Sequence, residues 1–396
     1  MSGAGSAGPS RRTTLGLLGA VPLAVGGGLT PAEDGVAAYD RYLRSLAEQD
    51  QFSGTALLAR RGRPVLARSY GMADKERSIR NGTDTVYCLA SASKPFTGLA
   101  VVQLAQQGRL RFYEKLGAYL DGFPDEVARH VTVHQLLTHS SGLPDFTVQD
   151  PDDVKVVTHS VEEQTRFVRT RTRLLKPVYT PGTDKTYSSS GYEILGELVA
   201  TLSGLPFHEY VRRNIFVPAG MTRSAYYTRT DWLNDARIAH PYIYQSDGSR
   251  VDGVRHLEAG AVLNGGPGTN AARAFIGSGG GSGFSTAPDL VRFALALQRD
   301  KLLNHAYTQL YLSPKVSGPP LPGPGPAPAT EAFQAYGPVA GITGDQRHIS
   351  HGGGIAGGNT NWSIYLDSDW VGVILCNYDL DIQAIIRQER KAVLGA

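Results

Sequence analysis

The sequence predicts an α+β fold: an antiparallel sheet built from both ends of the chain and flanked by helices, with a mostly helical part inserted between them. Three observations carry this prediction. Two apolar runs, residues 54–60 and 65–70, flank Arg61-Gly62-Arg63 and read as a β-hairpin. Two more, residues 360–366 and 370–376, flank Asp367-Ser368-Asp369 close to the other end. Between the two pairs, apolar residues recur at helical spacing, broken by Gly and Pro. On this pattern residues 35–110 and 330–396 make the sheet part, and residues 111–329 make the mainly helical part with its loops.

Residues 1–30 stand apart. Arg11-Arg12 precede an apolar run from Leu15 to Val25 and three glycines, and no acidic residue occurs before Glu33. This is similar to a twin-arginine export signal, which implies a periplasmic or extracellular protein. Thr14 departs from the pattern, since an aromatic or leucine is usual two places after the arginines. A disordered tail on a cytoplasmic protein is the alternative.

Val36, Tyr39, Tyr42, Leu43 and Leu46 lie on one helical face ahead of the first hairpin. Residues 95–107 are apolar almost all round and stop at Gly108, which predicts a buried helix. Helical patterns follow at 133–139, 192–202 and 286–297, the last with Pro288-Asp289 in its first turn. Residues 277–283 are dense in glycine, and residues 314–328 hold seven prolines and read as an exposed loop. A helix over 382–394 closes the chain.

Length and composition narrow the function. A chain of 396 residues with 41% hydrophobic and 19% charged content reads as globular. A net charge of +3 gives no footprint for nucleic acid, and no apolar run after the N-terminus is long enough to span a membrane. Cys88 and Cys376 each lie in a strand-like apolar run and read as small buried hydrophobes. His130, His134 and His139 lack the H-E-x-x-H arrangement, so no metal or other cofactor is expected.

Three local patterns bear chemistry. Ser91-Ala92-Ser93-Lys94 stands at a helix start, where free N–H groups carry partial positive charge. Lys94 lies one turn along from Ser91 on the same face. A serine needs a base to become a nucleophile, and lysine serves only when neutral, which means moving down from an ordinary pKa of about 10.4. Alone, the pattern is more often that of a capping serine and a solvated lysine. Tyr187, in Thr186-Tyr187-Ser188-Ser189-Ser190 after Pro181-Gly182, is placed to relay protons from a loop just before a helix. His351-Gly352-Gly353-Gly354 offers bare backbone ahead of a strand, where an N–H group can complete an oxyanion hole with the amide of Ser91.

In this order and at these separations the chain resembles the serine β-lactamase superfamily, in its class C β-lactamase, DD-peptidase and esterase branch of penicillin-binding-protein type. S-x-x-K falls on Ser91 and Lys94, Y-x-N on Tyr187, and K/H-x-G on His351 and Gly353. Stretches 136–144, 218–221 and 281–286 are also similar, and the likeness covers residues 50 to 380. The resemblance implies a β-lactamase/transpeptidase-like fold and a small-molecule or peptide-like acyl substrate. It implies Ser91 as nucleophile, Lys94 as base and Tyr187 as proton relay. It gives the oxyanion to the amides of Ser91 and Gly354, and gives His351 the tuning of Tyr187 and the meeting of anionic substrate groups. Ser189, Gly352, Gly353 and Gly354 are the expected substrate-binding positions.

The chain departs from the family at two of these. Ser189 replaces the asparagine that contacts an acylamide side chain, and Gly352 replaces the threonine that meets a carboxylate. Each loss of a hydrogen bond to a charged group costs about 1.5–3 kcal/mol. Ester or amide hydrolysis, or acyl transfer of the kind found in secondary metabolism, is therefore expected ahead of DD-carboxypeptidase or β-lactamase action. A penicillin-binding sensor or scaffold without turnover is the non-enzymatic alternative. An α/β-hydrolase is excluded, because no G-x-S-x-G occurs. From the layout of the family, the aromatics Tyr226, Tyr227, Trp232, Tyr242 and Tyr244 are expected to line the cleft.

Overall fold

The computed structural model describes residues 31–262, 268–318 and 331–395. The export-signal reading of residues 1–30 and most of the Pro-rich stretch lie outside the described residues.

Helix α1 (Pro31–Glu48) leads into the hairpin β1 (Gly54–Arg60) and β2 (Arg63–Tyr70). Its turn residues, Arg61 and Gly62, have φ of 51° and 75°. Positive φ at both central positions matches the right-handed twist of the flanking strands. The helices that bear on the site follow: α2 (Lys94–Gln106), the short α3 (Val133–Leu137), α4 (Val161–Thr172), α5 (Ser189–Ser203) and α6 (Ala287–Gln298). Six strands come next: β3 (Val316–Ser317), β4 (Glu331–Gln334), β5 (Val339–Thr343), β6 (Gln346–Ile355), β7 (Gly358–Tyr365) and β8 (Trp370–Cys376). Helix α7 (Gln383–Leu394) ends the described chain.

These strands form one antiparallel sheet in the order β2-β1-β8-β7-β6-β5-β4-β3. The two ends of the chain meet inside it, next to the edge strand β2, where β1 pairs with β8 from Gly54 opposite Cys376 to Arg60 opposite Trp370. Both strands are covered on both faces, and successive residues alternate between two cores. Ala56, Leu58, Ile374 and Cys376 face Tyr39, Leu43, Ile385 and Ile386 of α1 and α7. Leu57, Ala59, Val371, Val373 and Leu375 face the opposite core, which contains Phe96 of α2 and Phe293 of α6. Phe96 and Phe293 meet edge to face at 4.9 Å, and Trp362 of β7 packs against Phe293 at 5.8 Å. Such contacts add about 0.5–1.5 kcal/mol each beyond the area they bury.

Helix α2 is buried from Lys94 through Ala105, as an apolar pattern on every face requires. A Cβ on its Gly98 would stand 2.1 Å from the carbonyl oxygen of Tyr336, so another segment crosses the helix at backbone contact. Two local expectations change. The α-helix starts at Lys94, and Ser91 lies in a preceding 3₁₀ turn, Ala90–Ser93, rather than in the first α turn. His351–Gly354 lies inside β6 rather than ahead of a strand. Glycine has low strand propensity, but here pairing to β7 supplies the conformation that the residues do not favour.

Candidate active site

Helix α2 points its first turn at the glycines of β6, and the nucleophile candidate stands between them. In a 3₁₀ turn residues three apart eclipse each other, so the spacing of Ser91 and Lys94 brings their side chains together. Lys94 Nζ is 3.0 Å from Ser91 Oγ. It also donates to Ser189 Oγ at 3.2 Å and to the Gly280 carbonyl at 2.5 Å. The Lys94 side chain is fully buried, and these three acceptors match its three donor positions. Ser91 keeps part of its surface open.

The turn that carries Ser91 is clamped from several sides. Ala90 is held at φ 49°, a left-handed conformation that costs a non-glycine residue about 1–2 kcal/mol. Its carbonyl accepts from Ser282 N–H at 3.0 Å and from Ser93 Oγ at 2.7 Å. From β7, Thr360 Oγ1 donates to the Leu89 carbonyl and Trp362 Nε1 to the Ala92 carbonyl, both at 2.9 Å. From β6, the Gly353 backbone lies so close that a Cβ there would stand 2.2 Å from Leu89 O and 2.9 Å from Ser91 N.

Strand β5 pairs with β6 only as far as Val339 opposite Ser350. Residues 351–355 of β6 are therefore paired to β7 on one side alone, and their other edge borders Ser91. An open strand edge presents backbone N–H and C=O groups that an extended ligand can pair with. Gly352 and Gly354 are exposed there. A cavity of about 380 Å³ opens on this side, lined by Ser91, Tyr187, His351, Gly354, Asn359 and Asn361. A second, of about 280 Å³, meets Ser91 from the helical side and is walled by Phe146, Phe167, Ile276 and Ile355.

Tyr187 is 47% exposed and lines the first cavity. Its ring lies 4.9 Å from Lys94 Nζ, which sits over the aromatic face. His351 is buried, and its Nδ1 donates to the Gly352 carbonyl at 2.6 Å. That bond leaves Nε2 as an acceptor. Burial, with Lys94 nearby, pushes the His351 pKa down to about 4, so at neutral pH it brings no positive charge to the cavity. Of the roles expected for it, meeting anionic substrate groups falls to an uncharged imidazole.

The structure brings Ser91, Lys94, Tyr187, Ser189, His351 and Gly352–Gly354 together around one cleft. The aromatic residues expected along it are elsewhere. Tyr226 packs in the core against Phe207 and Phe216, and Trp232 packs on Phe284 while donating Nε1–H to the Ala239 carbonyl at 2.8 Å. Tyr242 is buried against Tyr378. Large rings contribute most by leaving water, and here the core rather than the cleft takes them.

Two site features were missed in the sequence. One is the Gly280 carbonyl, for which the glycine-dense stretch was the available signal. The other is His139, fully buried with φ 58°, its ring between Tyr187 at 4.5 Å and Tyr192 at 4.9 Å. Its Nδ1 accepts from Ser188 N–H at 3.2 Å, so the proton is on Nε2, which has no protein partner. Burial first, and Lys94 second, hold its pKa well below the usual histidine range. Among the described residues no three His, Cys, Asp or Glu side chains are grouped to hold a metal ion, and no helix is long and apolar enough to cross a membrane.

The family model described as Beta-lactamase matches residues 39–394. The chain belongs to the beta-lactamase family. It is a serine hydrolase of the β-lactamase type, with the mixed fold of an antiparallel sheet and helices found in that family. Penicillin-binding protein 4* of Bacillus subtilis (strain 168) is 28% identical over 363 residues, 89% of this chain and 74% of that protein. A penicillin binding protein from Bacillus halodurans is 28% identical, with a TM-score of 0.72 over 87% of this chain and 97% of that one. EstCE1, described as a hydrolase with promiscuous acyltransferase activity, is similar in fold at 18% identity and a TM-score of 0.73, over 91% of this chain and 99% of that one.

Proposed function

We propose that the chain is an acyl-enzyme hydrolase or acyltransferase acting on an ester or amide, with Ser91 as nucleophile and Lys94 as its base. The observation that carries this reading is the fully buried Lys94 amino group 3.0 Å from a solvent-reachable Ser91 hydroxyl, beside an open glycine edge. Ser91 Oγ attacks the acyl carbon and its proton passes to neutral Lys94 Nζ. The carbonyl π electrons move to the oxygen, which the backbone N–H groups of Ser91 and Gly354 receive. Collapse re-forms the carbonyl and breaks the bond to the leaving group, which takes a proton relayed through Tyr187. A water, alcohol or amine then attacks the acyl-enzyme, losing its proton along the same route, and Ser91 leaves with a proton restored.

Ser189 supports placing ester or amide donors ahead of β-lactams. It is already bonded to Lys94, and its short side chain reaches less far than the asparagine it replaces. Gly352 offers no hydroxyl to a substrate carboxylate, and neutral His351 no charge. Acyl transfer is favoured over hydrolysis alone by one observation: two cavities meet at Ser91, which gives donor and acceptor separate places. The acyltransferase activity in the description of EstCE1 is in keeping with this.

The test is intact-protein mass after exposure to p-nitrophenyl esters, nitrocefin, a fluorescent penicillin and a fluorophosphonate. The expected result is a covalent adduct on wild type that is absent from Ser91→Ala, with esters turned over faster than β-lactams. An adduct of equal yield on Ser91→Ala would refute the assignment of the nucleophile. Release of product only in the presence of an added alcohol or amine would assign the chain to acyl transfer.

A further inference from the structure

The glycine-dense stretch 277–283 is not accounted for by the mechanism, and neither is a carboxylate enclosed against it. Glu193 follows Tyr192 on α5 and lies four residues after Ser189, hence on the same helical face. Both residues look toward Lys94, Ser189 directly and Glu193 across the turn 278–281. That turn is a narrow loop closed by Ser278 N–H to the Gly281 carbonyl at 2.9 Å and by Gly281 N–H to the Ser278 carbonyl at 3.2 Å. Its Gly280 carbonyl is the acceptor that holds Lys94 Nζ at 2.5 Å.

The turn is shaped around the Glu193 carboxylate. Ser278 Oγ donates to Glu193 Oε1 at 2.5 Å, and the Gly280 N–H donates to the same carboxylate. A Cβ at Gly280 would stand 2.4 Å from Glu193 Oε1, and one at Gly279 would stand 2.4 Å from the Tyr192 carbonyl. Gly279 admits no side chain against the backbone of α5, and one at Gly280 would displace the Glu193 carboxylate, so the glycines let the loop close on α5 and on its acid. On the far side, Thr97 Oγ1 of α2 donates to the Gly279 carbonyl at 2.8 Å. One residue, Gly280, thus receives Lys94 on its carbonyl and gives its N–H to Glu193.

We propose that Glu193 is a positioning residue for the reaction: its carboxylate fixes the 278–281 turn that holds Lys94 against Ser91, and its negative charge sets how firmly Lys94 keeps a proton. This deepens the acyl-enzyme reading and rests on it. Glu193 also lines the second cavity at Ser91, so part of its surface stays open while the carboxylate itself is enclosed. Burial raises its pKa, and Ser278, Lys94 and Gly280 oppose that rise. Of the other groups facing Lys94, burial keeps His139, Tyr192 and His351 neutral at working pH, and Tyr187 presents the face of its ring. The groups facing Glu193, besides Lys94, are Asp145 and the buried Tyr226. A carboxylate facing an ammonium group favours its proton, and removing the charge makes that proton easier to lose.

The experiment is the rate of Ser91 labelling by a fluorophosphonate from pH 5 to 9, in wild type, Glu193→Gln and Ser278→Ala, with thermal melts alongside. Glu193→Gln keeps size and acceptor oxygen but removes charge. Its acid-side midpoint is expected to move down by about one pH unit. Ser278→Ala leaves the carboxylate with two of the three partners that oppose its raised pKa, Lys94 and Gly280, and loosens the turn. It is expected to leave the midpoint in place and lower the plateau about tenfold, because the base is held less closely. A Glu193→Gln midpoint that coincides with wild type overturns the proposal. Should that variant not fold, Ser278→Ala decides: a wild-type plateau overturns the proposal, and a lowered plateau at an unmoved midpoint upholds it. Wild type that labels normally while both variants coincide with it sinks this inference alone. Wild type that never labels on Ser91 sinks the nucleophile assignment and this inference together.

Discussion

Gly353 and Gly352 are neighbours in β6, yet the structure assigns them opposite tolerances. A Cβ on Gly353 would meet Leu89 O at 2.2 Å, Ala92 N at 2.7 Å and Ser91 N at 2.9 Å, all backbone atoms of the turn that carries Ser91, the proposed nucleophile. None can rotate away, so relief needs a backbone shift of about 1 Å, a displacement that can cost 10²-fold in rate. Overpacking of this kind also destabilises by about 1–3 kcal/mol. A Cβ on Gly352 finds nothing nearer than 3.7 Å. Gly353→Ala should therefore label with fluorophosphonate about 10²-fold more slowly than wild type and unfold at lower urea, by about 1–3 kcal/mol. Gly352→Ala should match wild type in both assays. Equal damage from the two substitutions, or wild-type labelling by Gly353→Ala, would show that the strand does not press on the turn as described.

Tyr187→Phe keeps the ring over Lys94 and removes only the hydroxyl, so steady turnover of a p-nitrophenyl ester should fall about 10²–10⁴-fold with the melting temperature unchanged; a loss under threefold would remove Tyr187 from the proton route. Ala90→Gly relieves the left-handed strain at φ 49°, partly offset by a more flexible unfolded chain, and should raise stability to urea by about 0.5–1 kcal/mol. Burial holds His348 down to about 3 and His351 down to about 4. Both stay neutral in the folded chain while the unfolded chain takes up protons below about pH 6.5, so they make stability fall as pH drops from about 6.5 toward 4. His348→Gln should make that fall shallower by about 1.4 kcal/mol per pH unit, measured by urea unfolding at pH 4.5 to 6.5; an unaltered slope would mean that His348 is already charged when folded.

The parts of the fold legible in the sequence were those whose pattern is local. Strand β8 is buried at all seven positions and is written as an unbroken apolar run, and the first hairpin is marked by Arg61-Gly62. Ser91 and Lys94 were legible because their contact depends on spacing within one turn. Gly280 was not, since any residue carries a carbonyl and only the glycine density hinted at a tight loop. Glu193 reads as an ordinary polar position on a helix until the loop that covers it is seen. His139 was visible as one of three histidines and as part of the family-like stretch 136–144, and its left-handed backbone and stacking between two tyrosines are tertiary facts. The aromatics of 226–244 were misplaced because ring size says that a residue is buried or binding, and not which of the two.

The clamp on the turn of Ser91 also orders events in time. Thr360 and Trp362 reach Leu89 and Ala92 across 271 and 270 residues of chain, and the β1–β8 pair joins Gly54 to Cys376. Loops of that length close slowly, and contacts so distant in sequence are made late. While the ribosome is still extending the chain, α2 has left the exit tunnel but β7 has not. A nascent chain therefore carries Ser91 and Lys94 in an unassembled state, and the clamp on their turn closes only once β7 docks.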